Sequence, residues 1–485
     1  MIITPIEDAT ALFVRSIPLF IAIPITPEFD NFNTWRILSI ILFIKLAHVT
    51  GLKYFLNIKE FSKYSKLLLA LLVLAVFSII PAVDKVSAVT RIIYFINLSL
   101  VGMIVYYLTQ RNTDFTKRLI KNIAIPMIIV IVAGFIQLIS TYFIDIYQFM
   151  RIWGEGIQMR QFGVLWSEIA VRIGNTWFAY YGPQLSLRVF SLFPDSHSFP
   201  QFVLLGLPAL FAISVLKLTS NPQVYNTLKK MVCTRVSMKV VWIPTAFLMA
   251  ILSGTRGIWA ASIGVVIIIL SVIYWNERIR IDIYYKNIFK YISLYMLVFF
   301  LLFAVAYPIF VSPQFLLSKG NWGLFGERIK SIIDFGETSN SQRIEIWKAS
   351  LESIKERPLL GVGIGNFPVV LDQKIFLARA GSSAHNIYLH IAAEMGILAL
   401  VTAIWFLWLL FKKSYNNFIL EKDPLLVTYF AATIIFVPWV LIYSLTDVAL
   451  FDERAFLLFM TTVALILSNT LTPSQRMSAT PDGCR

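Results

Sequence analysis

Long runs of apolar residues alternate with short polar segments along most of this chain of 485 residues. A helix needs about twenty apolar residues to cross the hydrocarbon core of a bilayer. On that measure the pattern predicts about twelve membrane-spanning helices, at residues 9–26, 36–56, 66–83, 87–108, 119–143, 198–218, 238–254, 257–275, 290–310, 386–411, 425–445 and 453–470. The predicted fold class is an all-α polytopic membrane protein with one large extracytoplasmic loop that contains short helices.

Two polar segments are too long to serve only as connections between helices. The segment 144–197 is rich in Trp and Tyr, which is typical of helices that lie in the membrane interface. The segment 311–385 contains an amphipathic stretch at 341–357, where apolar residues recur at helical spacing and Pro358 ends the pattern. We expect Arg343 to flank the apolar face of this helix and to point inward.

The same pattern divides the chain into five parts. They are the first five membrane helices in 1–143, an interfacial loop with membrane helices 6 to 9 in 144–310, the large extracytoplasmic loop in 311–385, membrane helices 10 to 12 in 386–470, and a cytoplasmic tail in 471–485. The tail has few apolar residues and is predicted to be disordered.

Composition and charge narrow the class of protein. The chain is 58% hydrophobic and 14% charged, whereas soluble domains are about 45–50% apolar and about 25% charged. The net charge of +15 comes largely from Lys and Arg in every second loop, which is the distribution expected of cytoplasmic loops. The charge therefore argues against nucleic-acid binding, and it predicts a multi-pass membrane protein with both termini in the cytoplasm.

His385 is the strongest candidate for a catalytic group. It lies where the large outer loop meets the predicted span 386–411. The positive end of a helix disfavours a charged imidazolium and so favours the neutral imidazole that a general base needs. The alternative is that His385 only caps the helix. The neighbouring Asn386 is predicted to fix a ring or a sugar hydroxyl.

Three arginines are predicted to lie on the same side of the membrane. Arg256 lies in a turn between two spans, Arg188 precedes the span at 198–218, and Arg343 is in the amphipathic helix. Guanidinium groups bind phosphate oxygens two at a time and keep their charge when partly buried. The alternative for each is that it reaches to lipid headgroups. Together with His385 they predict an anion-binding site.

Other polar residues are predicted to support this site. Asp195 and His197 could orient Arg188 or hydrogen-bond a sugar. Glu394 lies within a predicted span, where a carboxylate is costly unless it is paired, so it is either a structural partner of a buried donor or part of the site. The run Gly361-Val362-Gly363-Ile364-Gly365-Asn366 is predicted to be a tight turn and not a phosphate loop, because it follows a helix and lacks the GxGxxG spacing. The four histidines form no pattern typical of a metal site, so neither metal nor cofactor is predicted.

Five segments together resemble the O-antigen ligase and O-antigen polymerase family of bacterial envelope glycan assembly. They are Arg188-Val189-Phe190 with Pro194-Asp195, Ser253-Gly254-Thr255-Arg256-Gly257, Arg343-Ile344-Glu345-Ile346-Trp347, the run from Pro358 to Phe367, and His385-Asn386-Ile387-Tyr388-Leu389 through Gly396. Members of this family often have Pro-Asn after the first arginine, where this chain has Pro194-Asp195.

The resemblance implies a membrane glycosyltransferase of the bacterial cytoplasmic membrane. Its donor would be a glycan linked to undecaprenyl diphosphate, and its acceptor a hydroxyl on a glycan or a lipid-linked molecule at the outer face. Arg256 and Arg343, with Arg188 as a third group, would bind the diphosphate and His385 would activate the acceptor. Whether such a protein acts as ligase or polymerase stays open, as do two rival functions: a transporter or flippase of lipid-linked glycans, for which Lys45 and Glu394 leave room, and a scaffold whose outer loop binds an envelope partner.

Overall fold

The computed structural model describes residues 3–23, 32–51, 62–164, 167, 176–181, 184–219, 238–317, 338–372 and 383–468. Most of these residues are helical. The helices are α1 Ile6–Arg15, α2 Thr34–Thr50, α3 Lys63–Phe77, α4 Lys85–Arg111, α5 Thr113–Ser140, α6 Ile146–Phe149, α7 Met159–Phe162, α8 Ser198–Thr219, α9 Met238–Leu252, α10 Arg256–Arg278, α11 Ile283–Val311, α12 Thr338–Glu356, α13 Ile387–Met395, α14 Ile397–Leu420, α15 Pro424–Tyr443 and α16 Glu453–Leu467.

Strands are short and form two antiparallel pairs in the described residues. The strand β1 Ala22–Ile23 pairs with β2 Phe32–Asn33, and β3 Phe178–Tyr181 pairs with β4 Gln184–Leu187 in the register Phe178 to Leu187. The second hairpin leads directly into Arg188.

Six described helices are long and apolar enough to cross a membrane, namely α4, α5, α10, α11, α14 and α15. The apolar stretches Ser198–Ser214 of α8 and Val241–Leu252 of α9 are shorter. The prediction of an all-α membrane protein is therefore confirmed. The number of twelve spans stays a prediction.

Two predicted spans differ from the helices that the chain forms. The helix α1 ends at Arg15 and is followed by a 3-10 turn at Ile17–Leu19, because Pro18 cannot continue an α-helical ladder. The predicted span 386–411 is two helices, α13 and α14, which meet at Gly396 with φ +86°. The Ile397 N–H leaves the helical pattern there and donates to the Pro358 carbonyl at 2.8 Å.

The helix α15 lies at the centre of the fold. In the most apolar stretch of this helix 89% of the residues are buried, a larger share than in the other five long apolar helices. It packs along α8 and also contacts α10, α11 and α14. The Trp439 indole donates to the Ile258 carbonyl at 3.0 Å and ties α15 to the first turn of α10. The carboxyl end of α15 is thereby held beside the amino end of α10.

The two long polar segments are described in part. In 144–197 the chain forms α6, a π-helical stretch Met150–Gln158 and α7, followed by the β3–β4 hairpin. In 311–385 the predicted helix is α12, which begins three residues earlier than the pattern indicated. That this segment is one large outer loop stays a prediction, as does the division into five parts. The predicted disorder of the tail 471–485 concerns residues outside those that the structure describes.

Candidate functional site

Four helix ends meet at one place in the fold. The amino ends of α8, α10 and α13 surround the loop that follows α15. The Thr255 hydroxyl donates to the Ser196 carbonyl at 2.7 Å, and the Ile387 N–H donates to the Ser444 carbonyl at 2.8 Å. These bonds fix the segments that carry His197, Arg256 and His385 around the end of α15. We call this group of residues, together with Arg188, Arg343 and Asp447, the Asp447 site.

Asp447 lies at the centre of the site and contacts two imidazoles. Its Oδ2 is 3.1 Å from Nδ1 of His197 and 4.0 Å from Nδ1 of His385. Its side chain is only 10% exposed. Burial by itself raises the pKa of the Asp447 carboxyl, but His197, His385 and Arg343 outweigh burial and hold this pKa well below its usual value. Asp447 is therefore a carboxylate that can stabilise a positive imidazole.

His385 is held in an unusual backbone conformation. Its φ is +45°, a region that residues other than glycine seldom adopt and that occurs mostly where surrounding contacts impose it. Burial lowers the pKa of the ring, Asp447 raises it, and the charge of Arg343 lowers it, so that the pKa lies below the usual 6.5. Its Nδ1 is buried and has no hydrogen-bond partner among the described residues. The neutral ring is therefore the favoured form at neutral pH.

Arg343 is brought to His385 by a contact one turn further along α12. The Trp347 indole donates to the Ala384 carbonyl at 2.9 Å, which fixes α12 next to the residue before His385. Arg343 is half-buried, and its positive charge acts on both His385 and Asp447. The inward direction expected for Arg343 agrees with this position.

Arg188 is almost fully buried, with 9% of its surface exposed. Its Nε donates to the Ser253 carbonyl at 3.3 Å, and its Nη2 lies 3.4 Å from Nε2 of His197 and 3.5 Å from the Thr255 hydroxyl. The backbone of Gly254, with φ +63°, passes directly over the Arg188 side chain, and a Cβ there would press on it. The turn before α10 therefore supports Arg188 through its backbone.

Arg256 is the first residue of α10 and is half-buried. The next residue, Gly257, lies so close to Tyr443 and Thr446 that a Cβ at this position would collide with both side chains. This close approach requires glycine and places the start of α10 against the end of α15. The structure thus brings the segments of Arg188, Arg256, Arg343 and His385 to one region.

Two of the residues predicted to support the site, Asn386 and Asp195, organise its backbone. Asn386 caps α13 by accepting from the N–H groups of Tyr388 and Leu389. Asp195 accepts from the N–H groups of His197 and Ser198 at 2.8 and 2.7 Å. Carboxylate and amide oxygens are well suited to the unpaired N–H groups at the start of a helix. These contacts fix the positions of His385 and His197.

Glu394 and the glycine-rich turn form a separate structural unit. The Glu394 carboxylate accepts from the Phe367 N–H at 3.2 Å and lies 3.5 Å from Nε2 of His390. Gly361 approaches the backbone of residues 393 and 394 so closely that a Cβ would collide with it. The Val362 N–H donates to the Ala393 carbonyl at 2.8 Å. The turn therefore locks the junction of α13 and α14, as expected of a packed turn.

Sequence reasoning missed Asp447 as a member of the site and did not consider Tyr443. The Tyr443 hydroxyl lies 3.1 Å from Nδ1 of His197. A signal was present, because Asp447 follows an almost wholly apolar span at the end predicted to face outward. Among the residues that the structure describes, no group of His, Cys, Asp or Glu has the arrangement of a metal site.

Comparison with known families identifies the class of protein. Residues 242–404 match the family model described as O-antigen ligase. The match contains Arg256, Arg343 and His385, while Arg188 and Asp447 lie outside it. It supports assignment of the chain to the O-antigen ligase and polymerase family, as an O-antigen ligase-type membrane glycosyltransferase of polysaccharide biosynthesis. The match over these residues supports the family predicted from the motifs. No curated protein matches the chain.

Proposed function

We propose that this protein transfers a glycan from an undecaprenyl-diphosphate carrier to an acceptor hydroxyl at the outer face of the bacterial cytoplasmic membrane. The observation that carries the proposal is the Asp447 carboxylate between His197 and His385, with the cations Arg188 and Arg343 close by. This arrangement provides a base and positive charge in one partly buried place.

His385 is proposed as the general base. Its lowered pKa keeps a lone pair on the neutral ring, which can take the proton of the acceptor hydroxyl as its oxygen attacks the anomeric carbon. The imidazolium that forms is stabilised by the Asp447 carboxylate, whose Oδ2 is 4.0 Å from Nδ1 of His385 before reaction. A modest movement of either side chain brings these atoms into hydrogen-bond distance.

The arginines are proposed to bind the leaving diphosphate. As the bond between the anomeric carbon and the phosphate oxygen breaks, both bonding electrons stay with the diphosphate and its charge increases. Fixed guanidinium groups in a poorly hydrated pocket stabilise this charge without protonating it, and no metal ion is required for that purpose. Arg343 lies beside the base, whereas Arg188 is held by Ser253 and Thr255.

The proposal has stereochemical and topological consequences. Attack from the side opposite to the diphosphate inverts the anomeric carbon. The site must face the outer leaflet, where the carrier presents its glycan. The basic loops then lie in the cytoplasm, with about twelve spans and both termini inside. Ligase and polymerase differ only in whether the acceptor is a lipid-linked core or another glycan.

The test is transfer by the full-length protein in proteoliposomes. The donor is undecaprenyl-diphosphate-linked glycan labelled in its sugar, and the acceptor is an envelope lipid extract. A new glycosidic product, with undecaprenyl diphosphate released in equal amount, supports the proposal. Movement of the labelled donor to the other leaflet without product would instead support a flippase and would overturn the proposal. The His385→Ala variant serves as the inactive reference.

A further inference from the structure

We propose that His197 is a positioning residue that joins the diphosphate-binding side of the site to the base side. The inference rests on the transfer reaction proposed above and assigns a role to a residue outside the matched family segment. His197 contacts three groups from three parts of the chain. They are Arg188 after β4, Tyr443 at the end of α15, and Asp447 in the loop that follows.

The contact with Arg188 determines the direction of the hydrogen bonds. A guanidinium has N–H donors and no acceptor, so Nε2 of His197 must accept from Nη2 of Arg188 at 3.4 Å. In the neutral ring the hydrogen is then on Nδ1. That N–H lies 3.1 Å from both the Asp447 carboxylate and the Tyr443 hydroxyl. The carboxylate is the stronger acceptor of the two.

Asp447 is therefore shared unequally between two histidines. Its Oδ2 is within hydrogen-bond distance of His197 and about 1 Å farther from His385. His197 thus holds the carboxylate in a position from which it can approach His385 only when the second ring becomes positive. The same imidazole holds Arg188 from its other nitrogen. A chain of contacts runs from Arg188 through His197 and Asp447 to His385.

The charges around this chain favour the arrangement. The Asp195 carboxylate fixes the His197 backbone by accepting its N–H at 2.8 Å. On the other side of Asp447, His385 faces the charge of Arg343 from α12, and His390 of α13 adds a further positive influence when it is protonated. Removing the bond from His197 would free Asp447 to approach His385 in the resting state, which would favour the protonated form of His385.

Two substitutions separate the two contacts of His197. In His197→Asn the side-chain amide reaches about as far as Nδ1, so a donor toward Asp447 is kept and the acceptor for Arg188 is lost. In His197→Gln the amide reaches about as far as Nε2, so an acceptor for Arg188 is kept and the donor toward Asp447 is lost. His197→Ala removes both contacts.

The variants are compared as full-length proteins in proteoliposomes, with undecaprenyl diphosphate as a competitor of the donor. His197→Asn is expected to raise the donor KM and the inhibition constant of undecaprenyl diphosphate about 3- to 10-fold, the value of one ordinary hydrogen bond, with an unchanged pH profile. His197→Gln is expected to keep both constants, to lower kcat, and to move the acidic fall of kcat/KM toward higher pH.

The outcome distinguishes this inference from the proposed function itself. If His385→Ala abolishes transfer while both His197 variants keep the wild-type KM, inhibition constant and pH profile, the positioning role is wrong and the transfer reaction stands. If both variants only lower the yield or the melting temperature, with unchanged kinetics per folded molecule, the role is structural and the inference is overturned. If His385→Ala itself is fully active, the reaction proposed above fails.

Discussion

The loop after α15 separates two polar clusters that look alike in sequence and differ in their contacts. One is the Asp447 site. The other, which we call the Arg454 cluster, consists of Asn33, Trp35, Gln161, Asp452, Glu453 and Arg454. Arg454 is fully buried and donates to the carbonyls of Phe20 and Leu192 and to the Gln161 side chain. Glu453 accepts from Asn33 and Trp35 at 2.8 and 2.7 Å.

The difference lies in how the charges are balanced. In the Arg454 cluster one guanidinium is enclosed by protein acceptors, and burial together with Glu453 and Asp195 raises the pKa of Asp452 to about 7, so that little net charge remains. In the Asp447 site the three guanidiniums of Arg188, Arg256 and Arg343 accompany the Asp447 carboxylate and the neighbouring Asp195, and the His385 side chain is 37% exposed. A cluster with a positive excess and a partly exposed imidazole is suited to an anionic substrate, whereas a buried cluster with balanced charge stabilises the fold.

The largest loss of transfer activity is expected for a substitution of His385, in the Asp447 site. His385→Ala should lower the rate of glycan transfer about 10²- to 10⁴-fold, because the acceptor hydroxyl loses its base. Asp447→Asn should also lower kcat, because the imidazolium loses its counter-charge. Initial rates in proteoliposomes measure both. His48→Ala, a change of the exposed histidine of α2, is the matched control and should keep the wild-type rate. Equal rates in all four proteins would contradict the distinction between the clusters.

Arg454 is expected to affect stability and not chemistry. Arg454→Ala removes one partner of a buried ionic cluster and leaves carboxylates without their cation, which typically costs about 3–5 kcal/mol. Thermal unfolding of the purified protein in detergent measures the loss, and kcat per folded molecule should stay unchanged. Arg151→Ala, at an exposed position of the π-helical stretch, should change stability by less than about 0.5 kcal/mol. A stable Arg454→Ala variant with no activity would reverse the assignment of the two clusters.

A smaller loss of transfer activity is expected for substitution of Arg343, which we propose lies beside the leaving diphosphate. Arg343→Ala should weaken transfer about 10- to 150-fold, the range of about 1.5–3 kcal/mol for a hydrogen bond to a charged group. Arg343→Lys should recover part of this loss, since the charge returns without the fork of donors. Arg357→Ala, at the exposed residue after the same helix, is the control. The donor KM and kcat measure the effect, and a loss of equal size at both arginines would indicate a general effect on α12.

The smallest expected effect is on the pH dependence of kcat/KM. The reaction needs neutral His385, and burial holds the pKa of this ring below 6.5. The midpoint of the acidic fall in kcat/KM should therefore lie below pH 6.5, because the ring becomes protonated only around its lowered pKa. Asp447 raises this pKa, so Asp447→Asn should move the acidic fall to still lower pH while reducing the maximum. The pH profile of the reconstituted enzyme measures both, and a midpoint above pH 6.5 would contradict the lowered pKa of His385.

The pattern of residues determined much of this protein by itself. Apolar periodicity is local, so it predicted the membrane class and placed five of the six described helices that are long enough to cross a bilayer. The sixth, α14, is only the second part of the predicted span 386–411. The amphipathic stretch at 341–357 predicted α12, and Arg343 on this helix is half-buried and acts electrostatically on Asp447. The motifs around Arg256, Arg343 and His385 predicted the family that the match over residues 242–404 supports.

Only the tertiary structure decided which polar residues meet. His197 and Tyr443 are 246 positions apart, and Asp447 reaches both histidines because α15 packs along α8 and against the start of α10. The break at Gly396 depends on the Pro358 carbonyl from another segment. Hydropathy indicates which segments can lie in the lipid, but it does not indicate which helix ends are neighbours. That information resides in the packing of side chains, and the packing is what turns an acidic residue of a short loop into the centre of the site.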